Sequence, residues 1–229
     1  MSRPLVIAHR GASGYEVENS LAAFRAASDR GADAVELDIH ATADGALVVH
    51  HADRVAGRLI PQSSLRDVQS HPLPNGEAIP TLPEALRVIV PRMIAFVEIK
   101  TLPPRLDEKL FELIERTGAP NRVALHGFDH RVIRRLGERR PLIRRGALMA
   151  SYPVDPVRCL QDADATILWQ HNSYVDEALV AAVHGAGMTI HVYTVNDPDE
   201  MYHLAKIGVD GICTDFPDRA GDAIASLPA

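Results

Sequence analysis

Cysteine is scarce in this chain of 229 residues: Cys159 and Cys213 are the only two, far apart and in no CxxC spacing. A disulfide scaffold or a cysteine-built zinc site is thereby excluded, and both thiols read as reduced core or near-core residues. No apolar run reaches the roughly 18 to 20 residues that a membrane helix needs, so stable membrane insertion is not expected. A basic excess is missing as well. The formal net charge is −6 with no basic stripe, which argues against nucleic acid as a partner. It does not argue against a small anion, because a few local cations can hold a phosphate inside an acidic protein. Nor is there room for a secretion signal. Met1-Ser2-Arg3-Pro4 runs straight into the strand-like Leu5-Val6-Ile7-Ala8, so the expected location is cytoplasmic.

An ordinary apolar fraction (46%) and charged fraction (24%) remain, arranged in a rhythm. Strand-like segments fall at 5–9, 34–40, 46–51, 94–99, 122–126, 143–148, 165–169, 188–193 and 209–213, with helical segments between most of them. In 105–117, Leu106, Leu110, Leu113 and Ile114 repeat at helical spacing. Leu179, Val180 and Val183 do so in 176–187, as do Met201, Leu204 and Ala205 in 198–207, with Gly208 placed to cap the latter. Repeated strand–helix units imply a parallel sheet. Nine strands fit a (β/α)8 TIM barrel plus one extra early β segment, with 1–229 as a single domain. The stretch 53–80 breaks the rhythm with Pro61, Pro72, Pro74, Pro80 and the turn pair Asn75-Gly76. It reads as a small insertion over one mouth of the barrel, with a short helical hint from Ser64 to Gln69.

The charged positions on the strands carry the functional signal. Period-two alternation puts Ala34, Glu36, Asp38 and His40 on one face and Val35, Leu37 and Ile39 on the other. Phe96, Glu98 and Lys100 share a face; so do Leu5, Ile7 and His9, and Leu47, Val49 and His51. Four strands thus carry ionisable groups at their C-terminal ends, where a (β/α)8 barrel builds its active site. Three carboxylates gathered in a partly buried mouth must protonate or find a cation. Glu36, Asp38 and Glu98 form an all-oxygen set that suits one hard divalent ion, Mg2+ or Ca2+ before Mn2+.

These residues lie within an ordered series of motifs: His9-Arg10-Gly11, Glu18-Asn19-Ser20, Val35-Glu36-Leu37-Asp38, Asp44-Gly45, and Val48-Val49-His50-His51. The series continues with Ile79-Pro80-Thr81-Leu82, Val97-Glu98-Ile99-Lys100, Val192-Tyr193-Thr194-Val195-Asn196, and Gly208-Val209-Asp210-Gly211 leading to Thr214-Asp215. Over nearly its whole length the chain resembles the glycerophosphodiester phosphodiesterase family, in its small cytoplasmic bacterial form. The resemblance implies a TIM barrel with a short insertion after the second strand region. It implies hydrolysis of a small-molecule glycerophosphodiester to an alcohol and sn-glycerol 3-phosphate. It assigns acid–base roles to His9 and His51, the metal to Glu36, Asp38 and Glu98, and phosphate contacts to Arg10 and Lys100. Glu18 and Asn19 would support the first motif or the substrate. The sequence departs from the family where Val17 replaces a usual proline, where His50-His51-Ala52-Asp53 replaces an aromatic followed by His-Asp, and where Tyr193 replaces a common tryptophan.

Such a set matches the chemistry. A phosphodiester is anionic and has a poor leaving group, so charge must be offset, the nucleophile aligned and the leaving oxygen protonated. A planar guanidinium can grip two phosphate oxygens, and paired imidazoles can serve as acid and base near neutral pH. Two histidines suggest attack by the glycerol 2-hydroxyl and a cyclic phosphate that water then opens. Phe128, Trp169, His191 and Tyr193 are candidates for the pocket wall, although Trp169 fits barrel interior equally well. His126, His171 and His191 each read more readily as structural histidines. Arg134-Arg135 and Arg139-Arg140 read as solvated helix surface, and Asp210 and Asp215 as turn-shaping residues. The rival function is a lysophospholipase D or sphingomyelinase D-like activity on lipid head groups. It would need an apolar docking loop, and the 53–80 stretch offers only Leu59, Ile60 and Leu65. Monomer and homodimer are both compatible with the sequence.

Overall fold

The computed structural model describes residues 3–227. In chain order the elements are β1 (Leu5–His9), α1 (Leu21–Asp29), β2 (Ala34–Ala41), β3 (Leu47–Val49), β4 (Arg54–Val55), β5 (Arg58–Leu59), α2 (Leu65–Gln69), α3 (Leu82–Ile89), β6 (Ile94–Thr101) and α4 (Asp107–Glu115). There follow β7 (Val123–Gly127), α5 (His130–Arg139), β8 (Arg144–Met149), α6 (Pro156–Asp162), β9 (Ile167–His171), α7 (Glu177–Gly185), β10 (Thr189–Tyr193), α8 (Pro198–Ile207), β11 (Gly211–Thr214) and α9 (Pro217–Ala225). Each of the nine strand segments read from the sequence lies within two residues of an observed strand at both ends.

Eight of them, β1, β2 and β6 to β11, are parallel neighbours, and the pairing of β1 with β2 (His9 opposite Glu36) closes the sheet into a (β/α)8 barrel. The remaining one, β3, runs antiparallel to β2, with Leu47 opposite Ala41 and Val49 opposite Ile39. It therefore descends from above the mouth, and His51 reaches the site at the end of that descent. This differs from the expected picture of four strands rising together.

Strand alternation sorts the core into two layers. Val6, Val35, Leu37, Val97 and Ile99 face outward beneath the helices. Ile7, Ala34, Phe96, Ala124, Leu148, Ile167, Trp169 and Cys213 fill the barrel interior. Gly146 makes room for the single tryptophan, because a Cβ there would lie 2.6 Å from Trp169 Cδ1. The helices are cut to length by local chemistry. Glu84 accepts from Thr81 N at 2.8 Å, closing a capping box ahead of α3. The buried face of α3 is Leu82, Ala85, Leu86 and Ile89, in i, i+3, i+4, i+7 order. Burying a leucine or isoleucine of that face stabilises by roughly 1.5–3 kcal/mol. Gly208 ends α8 in the left-handed region at φ 92°.

Within 53–80, the helical hint becomes α2, capped reciprocally by Ser64 and Asp67. The β4–β5 hairpin was not read from the sequence. Its two-residue strands are too short to show alternation. Ile60, Val68, Leu73 and Ile79 bury against Val48 in a small core of their own. Leu59 and Leu65 are only partly exposed, so the segment presents no apolar docking loop.

The paired arginines also differ from expectation. Arg135 grips the fully buried Asp107 with two hydrogen bonds of 3.0 Å, and Arg139 adds a third at 3.1 Å. Arg139 and Arg140 hold Glu108. These residues join α5 to α4, and only Arg134 behaves as solvated surface, in an exposed i, i+4 pair with Glu138.

Candidate active site

The C-terminal ends of the strands surround a cavity of about 310 Å3. His9, Arg10, Glu36, His51, Glu98 and Lys100 line one side; Phe128, Trp169, His171 and Tyr193 line the other. His126 and Cys213 also reach it.

The first motif is folded tightly onto the mouth. Arg10 and Asn19 both adopt left-handed backbone, at φ 55° and 56°, and Asn19 N donates to Arg10 O at 2.9 Å. Gly11 follows at φ 84°, where a Cβ would come within 2.6 Å of Ala23 in α1. This turn aims Arg10 inward, with Nη1 2.7 Å from Glu18 and Nε 3.2 Å from Asp38. The Asn19 amide donates to Asp38 at 2.8 Å, so Glu18 and Asn19 both serve to fix the motif.

The acids are buried below these cations. Glu36, Asp38 and Glu98 are 4%, 0% and 7% exposed. Lys100 Nζ lies 3.1 Å from Asp38 and 2.6 Å from Glu98. Burial raises the Asp38 pKa, but Lys100 and Arg10 outweigh it and hold the carboxyl below its ordinary value. The other two acids are undercompensated. Burial, with Asp38 adding to it, pushes Glu98 up to about 7. Burial, then Asp38 and Glu98, raises Glu36 well above the carboxylate range. Glu36 Oε1 accepts no hydrogen bond among the described residues, and His126 Nε2 lies 3.8 Å from it.

Glu36, Glu98 and His126 each offer an atom within 4.8 Å of the others, a separation a single metal ion can span. The undercompensated acids and the oxygen-rich donor set fit a hard divalent cation. His126, read from the sequence as a structural histidine, thus joins Glu36 and Glu98, while the expected third acid, Asp38, is tied to Arg10, Lys100 and Asn19. Position alone could have flagged His126, since it shares the inward parity of Ala124 at the end of β7. Burial brings its pKa down to about 3, so its ring is neutral.

The two expected catalytic imidazoles are held differently. His9 Nδ1 lies 2.7 Å from Asp215, whose carboxylate also accepts from Ser13 Oγ at 2.9 Å and Asn196 Nδ2 at 2.6 Å. That leaves His9 Nε2 as the ring nitrogen available to the cavity. Asp215, expected to shape a turn, instead orients His9. Burial raises its pKa, but the bonds from His9 and then Asn196 outweigh this and hold it at about 2. Among the described residues His51 has no carboxylate partner. Burial, then Arg10, lowers its pKa and favours the neutral ring. Its backbone carbonyl is held by His40 Nε2 at 3.3 Å. The neighbours at the motif's departure stay outside: His50 Nδ1 bonds the Ala52 carbonyl at 2.9 Å, and the Asp53 side chain is 61% exposed.

Of the four wall candidates, Phe128 and Tyr193 stand at the mouth, whereas Trp169 forms the floor, stacked on His126 at 4.4 Å. His191 is not at the wall. It lies below the floor, 4% exposed, between Phe96 and Trp169.

A family model described as "Glycerophosphoryl diester phosphodiesterase family" matches residues 9–219. A glycerophosphodiester phosphodiesterase from Caldanaerobacter subterraneus subsp. tengcongensis is 32% identical over 94% of this chain and 96% of that protein. A probable glycerophosphodiester phosphodiesterase 2 from Mycobacterium tuberculosis is 32% identical over 96% of this chain and 90% of its own. Among solved structures, a phosphodiesterase from Oleispira antarctica in complex with the product sn-glycerol-3-phosphate superposes with a TM-score of 0.86, at 28% identity and 98% coverage of both chains.

Proposed function

The chain belongs to the glycerophosphoryl diester phosphodiesterase family and is an enzyme of that class; from this premise we propose that it hydrolyses glycerophosphodiesters to an alcohol and sn-glycerol 3-phosphate, with His9 and His51 as acid and base. One observation carries the reading: His9, His51, Arg10 and Lys100 line a single cavity above buried, undercompensated carboxylates. The product named for the Oleispira antarctica relative is the product proposed here.

Glu36 and Glu98, with His126 in reach of the same ion, would hold one divalent ion, Mg2+ or Ca2+ first, with Asp38 as the acid beside them. When bound, the ion supplies charge to the phosphoryl oxygens and neutralises the acids. Arg10 offers a planar fork to the phosphate, kept rigid by Glu18 and Asp38. Lys100 adds a point charge at the opposite edge. His51, held neutral, takes the proton of the attacking hydroxyl. His9, oriented by Asp215, delivers a proton from Nε2 to the leaving alcohol oxygen. In the cyclic route the glycerol 2-hydroxyl attacks phosphorus and the alcohol departs; water then opens the ring, forming a new P–O bond as the bond to the 2-oxygen breaks.

The lipid head-group reading has less support, because the apolar residues of the 53–80 segment turn onto their own core. No helix among the described residues is long and apolar enough to cross a membrane. The test is release of glycerol 3-phosphate from a panel of glycerophosphodiesters, with and without chelator, by native protein and His51→Ala. Native activity should disappear with chelator, and the variant should lose roughly 10²–10⁴-fold. Full turnover by His51→Ala would remove the histidine pair, and chelator-insensitive turnover would remove the ion.

A further inference from the structure

Opposite the cations, the mouth carries a run of aromatic rings that the chemistry at phosphorus does not use. Phe128 follows β7, His171 ends β9, Tyr193 ends β10, and Tyr174 lies just beyond β9. Phe128 and Tyr193 meet nearly edge to face, at 6.4 Å and 80°. Tyr193 and His171 do the same at 5.8 Å and 81°, and His171 is tilted against Tyr174 at 6.0 Å and 54°. Phe128 and Tyr174 remain 51% and 42% exposed. Three of these rings line the same cavity as His9, His51 and Lys100.

We propose that this arc is a head-group subsite selecting a quaternary ammonium of the choline type over a primary ammonium, a specificity that rests on the phosphodiesterase reading above. Successive rings set at steep angles form walls of a partial box, and ring faces attract a cation lacking N–H groups. Part of the arc's polar capacity is spent within the protein. The Tyr193 hydroxyl donates to Met149 O at 3.1 Å. His171 Nδ1 accepts from Ser173 N at 3.3 Å. The acids lining the cavity are Glu36 on β2 and Glu98 on β6, the strand beside β7, and Glu98 is paired with Lys100 at 2.6 Å. A primary ammonium would leave donors unpaired against the rings, whereas a trimethylammonium has none to satisfy. The two cations in the cavity are already paired, Lys100 with Asp38 and Glu98 and Arg10 with Glu18 and Asp38.

The experiment compares kcat/KM for glycerophosphocholine and glycerophosphoethanolamine in native protein, Phe128→Leu and Phe128→Trp, with calorimetric titration of tetramethylammonium chloride into each. Native protein should favour the choline ester by roughly fivefold or more. Phe128→Leu should cut that ratio by roughly fivefold and weaken tetramethylammonium binding, and Phe128→Trp should restore both. A native ratio near one, or an equal fall on both esters in Phe128→Leu, overturns the subsite while leaving phosphodiester hydrolysis intact. If neither ester releases glycerol 3-phosphate, the hydrolysis reading fails instead. The titration then decides the subsite alone: tighter tetramethylammonium binding by native protein than by Phe128→Leu sustains it, and equal or absent binding overturns it.

Discussion

His9 takes its orientation from a residue 206 positions further along the chain. Sequence spacing cannot show such a contact, and an Asp after a strand end reads most naturally as a turn residue. The Asp215 carboxylate is held at about 2 against an ordinary 3.8. Between those values the unfolded chain binds more protons than the folded one, so stability falls as pH drops through that window and is fully present above it. Asp215 is half-buried, and solvent screening reduces this contribution to about 1 kcal/mol. In Asp215→Asn, the pH dependence of the denaturant midpoint between pH 4 and 2 should flatten by that amount. The His9 ring would then lose its orienting charge, so kcat should fall roughly 10²-fold with a smaller change in KM. A variant with native kcat and an unaltered pH–rate profile would reduce Asp215 to a structural residue.

Among the elements, the barrel strands were legible because each carries its own period and ends in turn chemistry. Glu36 and Asp38 could be placed inside the barrel because Val35, Leu37 and Ile39 had to face the helices. Residues whose roles depend on a distant partner were not legible. His126 needed the barrel to close before it could meet Glu36, and the direction of β3 needed its pairing with β2. The arginines of α5 are the clearest case. Arg134 and Arg135 look alike in the sequence, yet one meets Glu138 in solvent and the other meets buried Asp107. Arg135→Ala leaves that carboxylate with Arg139 alone and should cost roughly 2–3 kcal/mol, toward the lower end of what breaking a buried pair costs because the arginine itself is partly solvated. Arg134→Ala should stay within about 0.5 kcal/mol. Urea denaturation of the two variants decides the matter, and equal midpoints would mean that the α4–α5 ion network holds nothing together.

Across the whole barrel, Glu98 and His191, buried in two storeys of the interior, respond oppositely to acid. The upper storey is the carboxylate cavity. Glu98, raised to about 7, binds its proton more readily folded than unfolded, so it adds stability as pH falls below that value. The lower storey includes His191, sealed between Phe96 at 5.0 Å and Trp169 at 4.9 Å, its Nδ1 without a partner among the described residues. Burial lowers its pKa from 6.5 to about 4. The folded ring stays neutral through that interval while the unfolded one takes a proton, so its contribution is present above pH 6.5 and is lost as pH falls toward 4. The slope of this term is about 1.4 kcal/mol per pH unit. The native profile sums both storeys, so its overall shape identifies neither. His191→Leu keeps the site carboxylates and removes only the lower term. Its absolute stability should drop with the lost ring contacts. Its urea midpoints at pH 7, 6 and 5, converted to free energies, should fall less steeply than native by about that slope. Parallel profiles for the two proteins would show that His191 takes up its proton without leaving the barrel, and the separation into two storeys would not hold.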